Sequence, residues 1–222
     1  MNHSVSQTPG SAAAPHRGGQ LLYVHDPMCS WCWAFRPALA RLRAALPAGV
    51  GFERLLGGLA PDNDAPMPED MRRYLRQTWQ RIQQRVPGTA FNFDFWELCR
   101  PRRSTWPACR AVIAARRQAP EREDDMILAI QRAYYLQARN PSEPATLVEL
   151  AGEIGLDAVR FASALGEPAT QAALLAEVTR AQQLGATSFP SLILTRGDSR
   201  WPVPVDYRDA GAMLGLIETL LA

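Results

Sequence analysis

The chain has 222 residues with 24 basic and 22 acidic side chains, a formal net charge of +2, and every basic side chain is an arginine. The absence of lysine excludes phosphate-loop nucleotidases and mechanisms that need a lysine Schiff base. The near-neutral balance lacks the basic excess typical of nucleic-acid binders, so we expect no nucleic-acid partner. With 47% apolar residues and no apolar run near the ~20 residues of a membrane helix, we expect a globular protein without a membrane partner.

The first twenty residues predict a disordered tail. They are polar, rich in Gly, Ser and Pro, and contain no apolar stretch of the kind a secretory signal needs. We therefore expect a cytoplasmic location, where the four cysteines are more often catalytic, metal-binding or buried than structural disulfides. His3 and His16 lie in the tail, which leaves only His25 in the folded part, so we expect no metal site.

The folded part begins with a predicted βαβ unit. Leu21 to Val24 form an apolar β-prone run, Cys29 to Leu46 read as a helix, and Val50 to Leu59 contain a second strand closed by two glycines. Strand, helix and strand within about forty residues are typical of one α/β unit.

From Pro66 to about Gly185 the pattern is helical. Apolar residues recur at three- and four-residue spacing from Met71 to Ile82, and Pro or Gly separates the later segments. The segments predict helices over Pro144 to Gly155, Leu156 to Leu165 and Pro168 to Leu184, among others.

Strand signals return after this block. Ser191 to Thr195 and Trp201 to Tyr207 predict two strands, followed by a helix from Asp209 to the end. Since these elements cannot cover both faces of a sheet alone, we expect them to complete the sheet begun at Leu21. The predicted organisation is one α/β unit from residues 21–62 and 186–222, with a helical insertion over 63–185.

The strongest chemical feature is Cys29-Ser30-Trp31-Cys32, directly after a strand and at the start of a helix. The free N–H groups and the positive end of the helix dipole favour a thiolate at Cys29, so we predict Cys29 as the nucleophile and the more enclosed Cys32 as the resolving thiol. Two packed cysteines, or half of a zinc site, are the alternatives. A zinc site needs a second close pair, whereas Cys99 and Cys109 are ten positions apart.

The run HDPMCSWCWAF, with Pro37 five residues after the second cysteine, resembles the DsbA family of thioredoxin-fold proteins. It is most similar to the branch of FrnE-like proteins and cytoplasmic protein-disulfide isomerases. The resemblance implies the α/β class and a thioredoxin-like fold with a large all-helical insertion. It also implies that Ser30 and Trp31, between the cysteines, shape the site.

A second family element is Thr187-Ser188-Phe189-Pro190-Ser191, which leads into the returning strand. The resemblance implies a cis peptide bond at Pro190, facing the two cysteines, with the backbone of Phe189 offered to a substrate segment as an added strand. An ordinary loop proline at the start of a strand is the alternative.

Asp26 and His25 lie just upstream of the nucleophile. An acid beside a buried thiol can relay its proton, and a histidine beside a thiolate can stabilise it, so both are candidates for proton transfer. Both could equally form a turn at the strand end, since Asp-Pro commonly opens turns.

Two further groups of residues favour a core position. Cys109 shares a helix face with Trp106 and Val112, which favours burial, and an auxiliary dithiol of Cys99 and Cys109 is the alternative. The aromatic cluster of Phe91, Phe93, Phe95 and Trp96 is more typical of a core than of a binding groove beside the cysteines.

The sequence therefore favours a thiol–disulfide oxidoreductase or disulfide isomerase that acts on protein or small-molecule disulfides and dithiols. It implies no metal or organic cofactor, with glutathione as a candidate redox partner. A glutathione-dependent transferase or isomerase of the kappa class or the hydroxychromene-carboxylate isomerase type is one alternative, and a non-catalytic binding or chaperone module is another. The direction of electron flow and the oligomeric state stay open at this point.

Overall fold

The computed structural model describes residues 18–222, so the first 17 residues of the predicted tail (1–20) lie outside the described residues. The described part contains four strands: β1 (Gln20–His25), β2 (Gly51–Leu56), β3 (Ser191–Arg196) and β4 (Ser199–Val203). It contains nine α-helices: α1 (Ser30–Ala44), α2 (Glu69–Arg85), α3 (Phe95–Leu98), α4 (Trp106–Gln118), α5 (Glu123–Leu136), α6 (Pro144–Glu153), α7 (Ala158–Gly166), α8 (Pro168–Gln183) and α9 (Ala210–Leu221).

The four strands form one mixed sheet in the order β2-β1-β3-β4. β1 pairs in parallel with β2, across the helix α1, and antiparallel with β3. The predicted βαβ unit and the completion of its sheet by the returning strands are thus confirmed. β1 is apolar at consecutive positions because it is central and is buried on both faces, as strands covered on both sides require.

Helices cover both faces of this sheet. Alternate residues of β1 point to opposite sides: Leu21 and Tyr23 pack with α1 and α9, whereas Leu22 and Val24 pack with Ala181 of α8. The sheet is therefore the middle layer of three, and the first turn of α1 leaves it at the edge where β1 ends.

Helices α2 to α8 lie between β2 and β3 in the chain, which confirms a helical insertion. Most of them share a second hydrophobic core, in which Trp79 contacts six other aromatic rings. The aromatic cluster of the sequence belongs to this core: Phe95 and Trp96 are fully buried, and Phe91 and Phe93 pack against its edge.

β4 differs from its predicted position, Trp201 to Tyr207. It begins at Ser199, directly after a two-residue turn in which Gly197 has a φ of +57°, and it ends at Val203. Val203 pairs with Leu192 at the start of β3, so pairing stops where the partner strand begins. Pro202 is tolerated because β4 is an edge strand and needs hydrogen-bond partners on one side only.

Candidate active site

The two cysteines of the Cys-X-X-Cys motif meet the sheet at the end of β1. Cys29 is the N-cap of α1, and its own N–H donates to the carbonyl oxygen of Asp26 at 3.0 Å. The turn begun by Asp26 thus places the first thiol at the positive end of the helix dipole. Cys29 is 7% exposed and Cys32 is fully buried one turn further on, and both are free thiols.

The Cys29 thiol faces the residue before Pro190. Its Sγ donates to the carbonyl oxygen of Phe189 at 3.4 Å, a contact that spans 160 residues of sequence. The peptide bond between Phe189 and Pro190 is cis. The insertion therefore returns the chain to the sheet so that the start of β3 lies against the start of α1.

Gly57 makes this approach possible. It follows β2 directly, and a Cβ atom built on it would lie 2.1 Å from the Phe189 ring. Its N–H donates to the carbonyl oxygen of His25 at 2.7 Å, which holds it beside the end of β1. The absence of a side chain at this position is thus what lets the Phe189 ring pack against the sheet.

Cys32 is fully buried and forms a side-chain hydrogen bond with Tyr23. Burial, together with the neighbouring Cys29 thiol, raises the pKa of Cys32 well above its usual value. A hydrogen bond from the Tyr23 hydroxyl acts in the opposite direction, because it stabilises the anion. At neutral pH the resolving residue is therefore held as a thiol.

Asp26 is fully buried, and its carboxylate points into the helical insertion. One oxygen accepts from the N–H of Met28 at 2.8 Å; the other accepts from the N–H of Leu59 at 2.8 Å, from the Thr105 hydroxyl at 2.6 Å and from the Cys109 thiol at 3.5 Å. Burial raises the pKa of Asp26, and the hydrogen bonds lower it in part. Within residues 18–222 its carboxylate makes no hydrogen bond to Cys29 or Cys32, so its role in proton transfer stays a prediction.

His25 occupies a buried stack on Tyr23, with ring centroids 4.9 Å apart and planes at 6°. Neither ring nitrogen has a hydrogen-bond partner among residues 18–222. Burial, and then the positive charge of Arg54, lower the pKa of His25 to about 3. His25 is therefore a neutral imidazole near pH 7.

A cavity of about 170 Å³ opens beside Cys29. The residues predicted to shape the site, Ser30, Trp31 and Phe189, form one wall of it, and the opposite wall comes from the helical insertion. Trp31 also packs on Tyr207, with ring centroids 5.3 Å apart. The structure thus brings together both cysteines, the intervening residues and Phe189.

Residues 22–200 match the thioredoxin family. The chain belongs to this family. Its fold is the thioredoxin-like fold with a helical insertion, as the sequence predicted, and its resemblance to DsbA-family proteins is confirmed by the solved structures that it matches.

Two solved structures illustrate the likeness. A candidate protein disulfide isomerase from Nitrosomonas europaea has 30% sequence identity and a TM-score of 0.79, covering 91% of this chain and 97% of that one. The cytosolic disulfide reductase DsbM from Pseudomonas aeruginosa has 28% identity and a TM-score of 0.72, covering 91% and 98%. DsbM was also solved with glutathione.

The ClpXP adapter protein SpxH from Bacillus subtilis is 22% identical over 180 residues, which are 80% of this chain. The chain matches 58% of the length of that relative.

Cys109 and Cys99, outside the thioredoxin motif, lie in different surroundings. Cys109 is fully buried beside Asp26, and both burial and the charge of Asp26 raise its pKa well above the usual value. Cys99 is half-buried and donates to the carbonyl oxygen of Ala138 at 3.0 Å. Both are free thiols.

Several residues around this site have no recognisable signal in the sequence. Tyr23, Gly57, Arg103 and Thr105 come from three separate parts of the chain, and tertiary packing brings them together around the cysteines. The pair Gly57-Gly58 was a visible signal, but it also fits the ordinary end of a strand.

Within residues 18–222 no group of three or more His, Cys, Asp or Glu side chains could hold a metal ion, and no helix is long and apolar enough to cross a bilayer.

Proposed function

We propose that this protein is a thiol–disulfide oxidoreductase in which Cys29 is the nucleophile and Cys32 the resolving thiol. The observation that carries the proposal is the placement of Cys29. Cys29 is the N-cap residue of α1, its thiol is 3.4 Å from the Phe189 carbonyl oxygen and borders an open cavity, and Cys32 is fully buried behind it. A substrate disulfide can therefore reach the first sulfur and not the second.

The exchange would proceed in two displacements. The Cys29 thiolate attacks one sulfur of a substrate disulfide, the substrate S–S bond breaks, and the departing sulfur leaves as a thiolate that takes up a proton. Cys32 then loses its proton and attacks Cys29 in the mixed disulfide, which releases the second substrate thiol. In total, the protein dithiol gives two electrons and two protons to the substrate and becomes a disulfide.

The surroundings of the two thiols suit these separate steps. Cys29 stands at the N-terminus of α1 and borders the cavity, so its sulfur meets the substrate first. Burial favours the protonated form of Cys32, so the resolving thiol does not compete for the substrate. The Tyr23 hydroxyl is placed to stabilise Cys32 when its proton leaves.

The backbone at Phe189 is the proposed contact for the substrate. Its carbonyl oxygen already accepts a hydrogen bond from Cys29, and a bound disulfide would place its own chain beside the same peptide group. A substrate segment could then pair with this backbone as an added strand. Pro190, Ser30 and Trp31 would shape the rim of that contact.

The reductive direction is the one we favour, in the cytoplasm and with glutathione as redox partner. DsbM, 28% identical over nearly its full length, is a cytosolic disulfide reductase and was solved with glutathione. Isomerase activity is the finer alternative, supported by the Nitrosomonas europaea relative. The proposed substrates are protein or small-molecule disulfides.

Insulin reduction by the wild type, Cys29→Ser and Cys32→Ser tests the proposal. We expect Cys29→Ser to lose the activity and Cys32→Ser to accumulate a mixed disulfide that mass spectrometry detects. Cys99→Ser is the matched control, because this thiol is half-buried and contacts Ala138 instead of the site. Glutathione-conjugating activity that survives both substitutions in the motif would overturn the proposal in favour of a transferase.

An adapter function is a second candidate, supported by the match to SpxH. It predicts that the protein binds purified ClpX with the same affinity whether or not Cys29 is replaced by Ser. Absence of binding by the wild type, measured by surface plasmon resonance, would eliminate it.

A further inference from the structure

The cavity beside Cys29 carries a charge that the exchange chemistry does not use. Arg102 and Arg103 both line it, but their surroundings differ. Arg102 is neutralised: its guanidinium lies 2.8 Å from Asp64 and 3.2 Å from Glu143. Among residues 18–222, Arg103 has neither an ion pair nor a side-chain hydrogen bond, although it is only half exposed.

The positive charge of the Arg103 guanidinium affects a side chain that lines the cavity. Its charge lowers the pKa of the Tyr134 hydroxyl, against the larger effect of burial, and Tyr134 lines the same cavity. None of the described residues that line the cavity is acidic. A cation partly removed from water and without a counter-ion favours an anionic ligand at this place.

The cavity also limits the size of what enters. Its volume of about 170 Å³ is below the roughly 300 Å³ at the lower end of pockets that bury a drug-sized molecule. It therefore accepts a single residue-sized group next to Cys29, while the rest of the ligand stays outside. A carboxylate on such a group could accept two parallel hydrogen bonds from the planar guanidinium of Arg103.

We propose that Arg103 binds a carboxylate of the redox partner and thereby selects small acidic thiols and their disulfides, represented by glutathione and glutathione disulfide. The proposal rests on the function proposed above. It adds that charge selects among substrates: anionic disulfides react fastest, neutral ones more slowly, and cationic ones slowest.

The test measures the second-order rate at which the reduced protein is oxidised by three disulfides of different charge. The disulfides are glutathione disulfide, neutral bis(2-hydroxyethyl) disulfide and cationic cystamine. In each reaction the dithiol Cys29/Cys32 becomes a disulfide and the small disulfide becomes two thiols. For Arg103→Gln we expect a loss of about tenfold with glutathione disulfide, in keeping with one lost charged hydrogen-bond pair. We expect little change with the neutral disulfide and an increase with cystamine.

Two variants separate charge from structure. Arg103→Lys keeps the charge and should recover part of the rate with glutathione disulfide. Arg100→Gln removes an exposed arginine from the same segment, outside the cavity, and should change none of the three rates. Equal losses with all three disulfides in Arg103→Gln, or an unchanged rate with glutathione disulfide, would overturn the proposal.

A binding measurement distinguishes failure of this proposal from failure of the proposed function. S-methylglutathione has the carboxylates of glutathione but no exchangeable thiol, so calorimetry reports its binding without any redox step. We expect its Kd to rise about tenfold in Arg103→Gln. If the wild type reacts with no disulfide while this Kd still depends on Arg103, the oxidoreductase function fails and the carboxylate site stands. If disulfides react but the Kd is the same in both proteins, the carboxylate site fails alone.

Discussion

Replacement of Gly57 by alanine tests the packing that brings Phe189 to Cys29. The added Cβ would lie 2.1 Å from two atoms of the Phe189 ring, well inside van der Waals contact, so the ring must move. Inserting a carbon into such a packed site costs about 1 to 3 kcal/mol. For a chain of this length, a loss of that size corresponds to a fall in Tm of about 3 to 10 °C.

The displaced ring should also move the Phe189 carbonyl oxygen, which lies 3.4 Å from the Cys29 thiol. We therefore expect Gly57→Ala to slow insulin reduction several-fold as well as to lower the free energy of unfolding. Urea denaturation followed by circular dichroism measures the stability, and turbidity of the precipitating insulin chains measures the rate.

Two further variants make this prediction sharp. Gly152→Ala is the matched control: an added Cβ there, in α6, meets no atom within 4 Å, and alanine suits a helix better by about 0.5 to 1 kcal/mol. Gly57→Ala combined with Phe189→Leu removes the distal ring atoms and should recover part of the stability, a coupling of about 0.5 to 3 kcal/mol. A Gly57→Ala protein as stable and as active as the wild type would refute the reasoning.

Three other substitutions test the buried groups around the site. Between pH 7 and pH 5 the free energy of unfolding of the wild type should fall by about 2 kcal/mol because of His25. In this range the imidazole takes up a proton in the unfolded chain, whereas in the folded protein, with a pKa of about 3, it stays neutral. The His25→Phe variant should not show this fall. An equal pH dependence of the free energy of unfolding in both proteins, measured by urea denaturation, would contradict the prediction. The pKa of Asp26 is raised in the folded protein, so the contribution of this residue to the free energy of unfolding decreases as the pH rises through that pKa. The free energy of unfolding of the wild type, measured relative to Asp26→Asn, should therefore decrease as the pH rises. Cys109→Ala should cost about 1 kcal/mol and leave insulin reduction unchanged, whereas a loss of activity would give Cys109 a chemical role.

The sequence determined the order of the elements well and indicated the thiol pair on which the proposed function rests. Cys29 and Cys32 are recognisable because they stand between an apolar strand and an amphipathic helix, and both patterns are local. The returning strand was visible as a β-prone run after a helical block, and the need to cover its faces implied the shared sheet. Only the edge strand was misplaced, because its length depends on the partner strand and not on its own residues.

The surroundings of the thiols could not be predicted from the sequence in the same way. The position of Asp26 in the chain favoured a role in proton transfer, but it did not reveal that the carboxylate turns towards Thr105 and Cys109 in the insertion. His25 was likewise a candidate for proton transfer, and its position in the chain did not reveal the burial on Tyr23 that keeps it neutral. Burial and hydrogen bonding set a pKa, and both depend on residues far away in sequence.

The sequence by itself thus determined which groups are candidates for reaction, since a Cys-X-X-Cys motif at a helix start is a local arrangement of a few residues. The tertiary structure alone decided which thiol is reachable, what lies beneath it, and which side chain of the insertion lines the approach. The distance between Cys29 and Phe189 spans 160 residues, and Arg103 reaches the cavity from a loop in the insertion. Contacts of this kind arise from packing, which fixes distances that neither composition nor periodicity encodes.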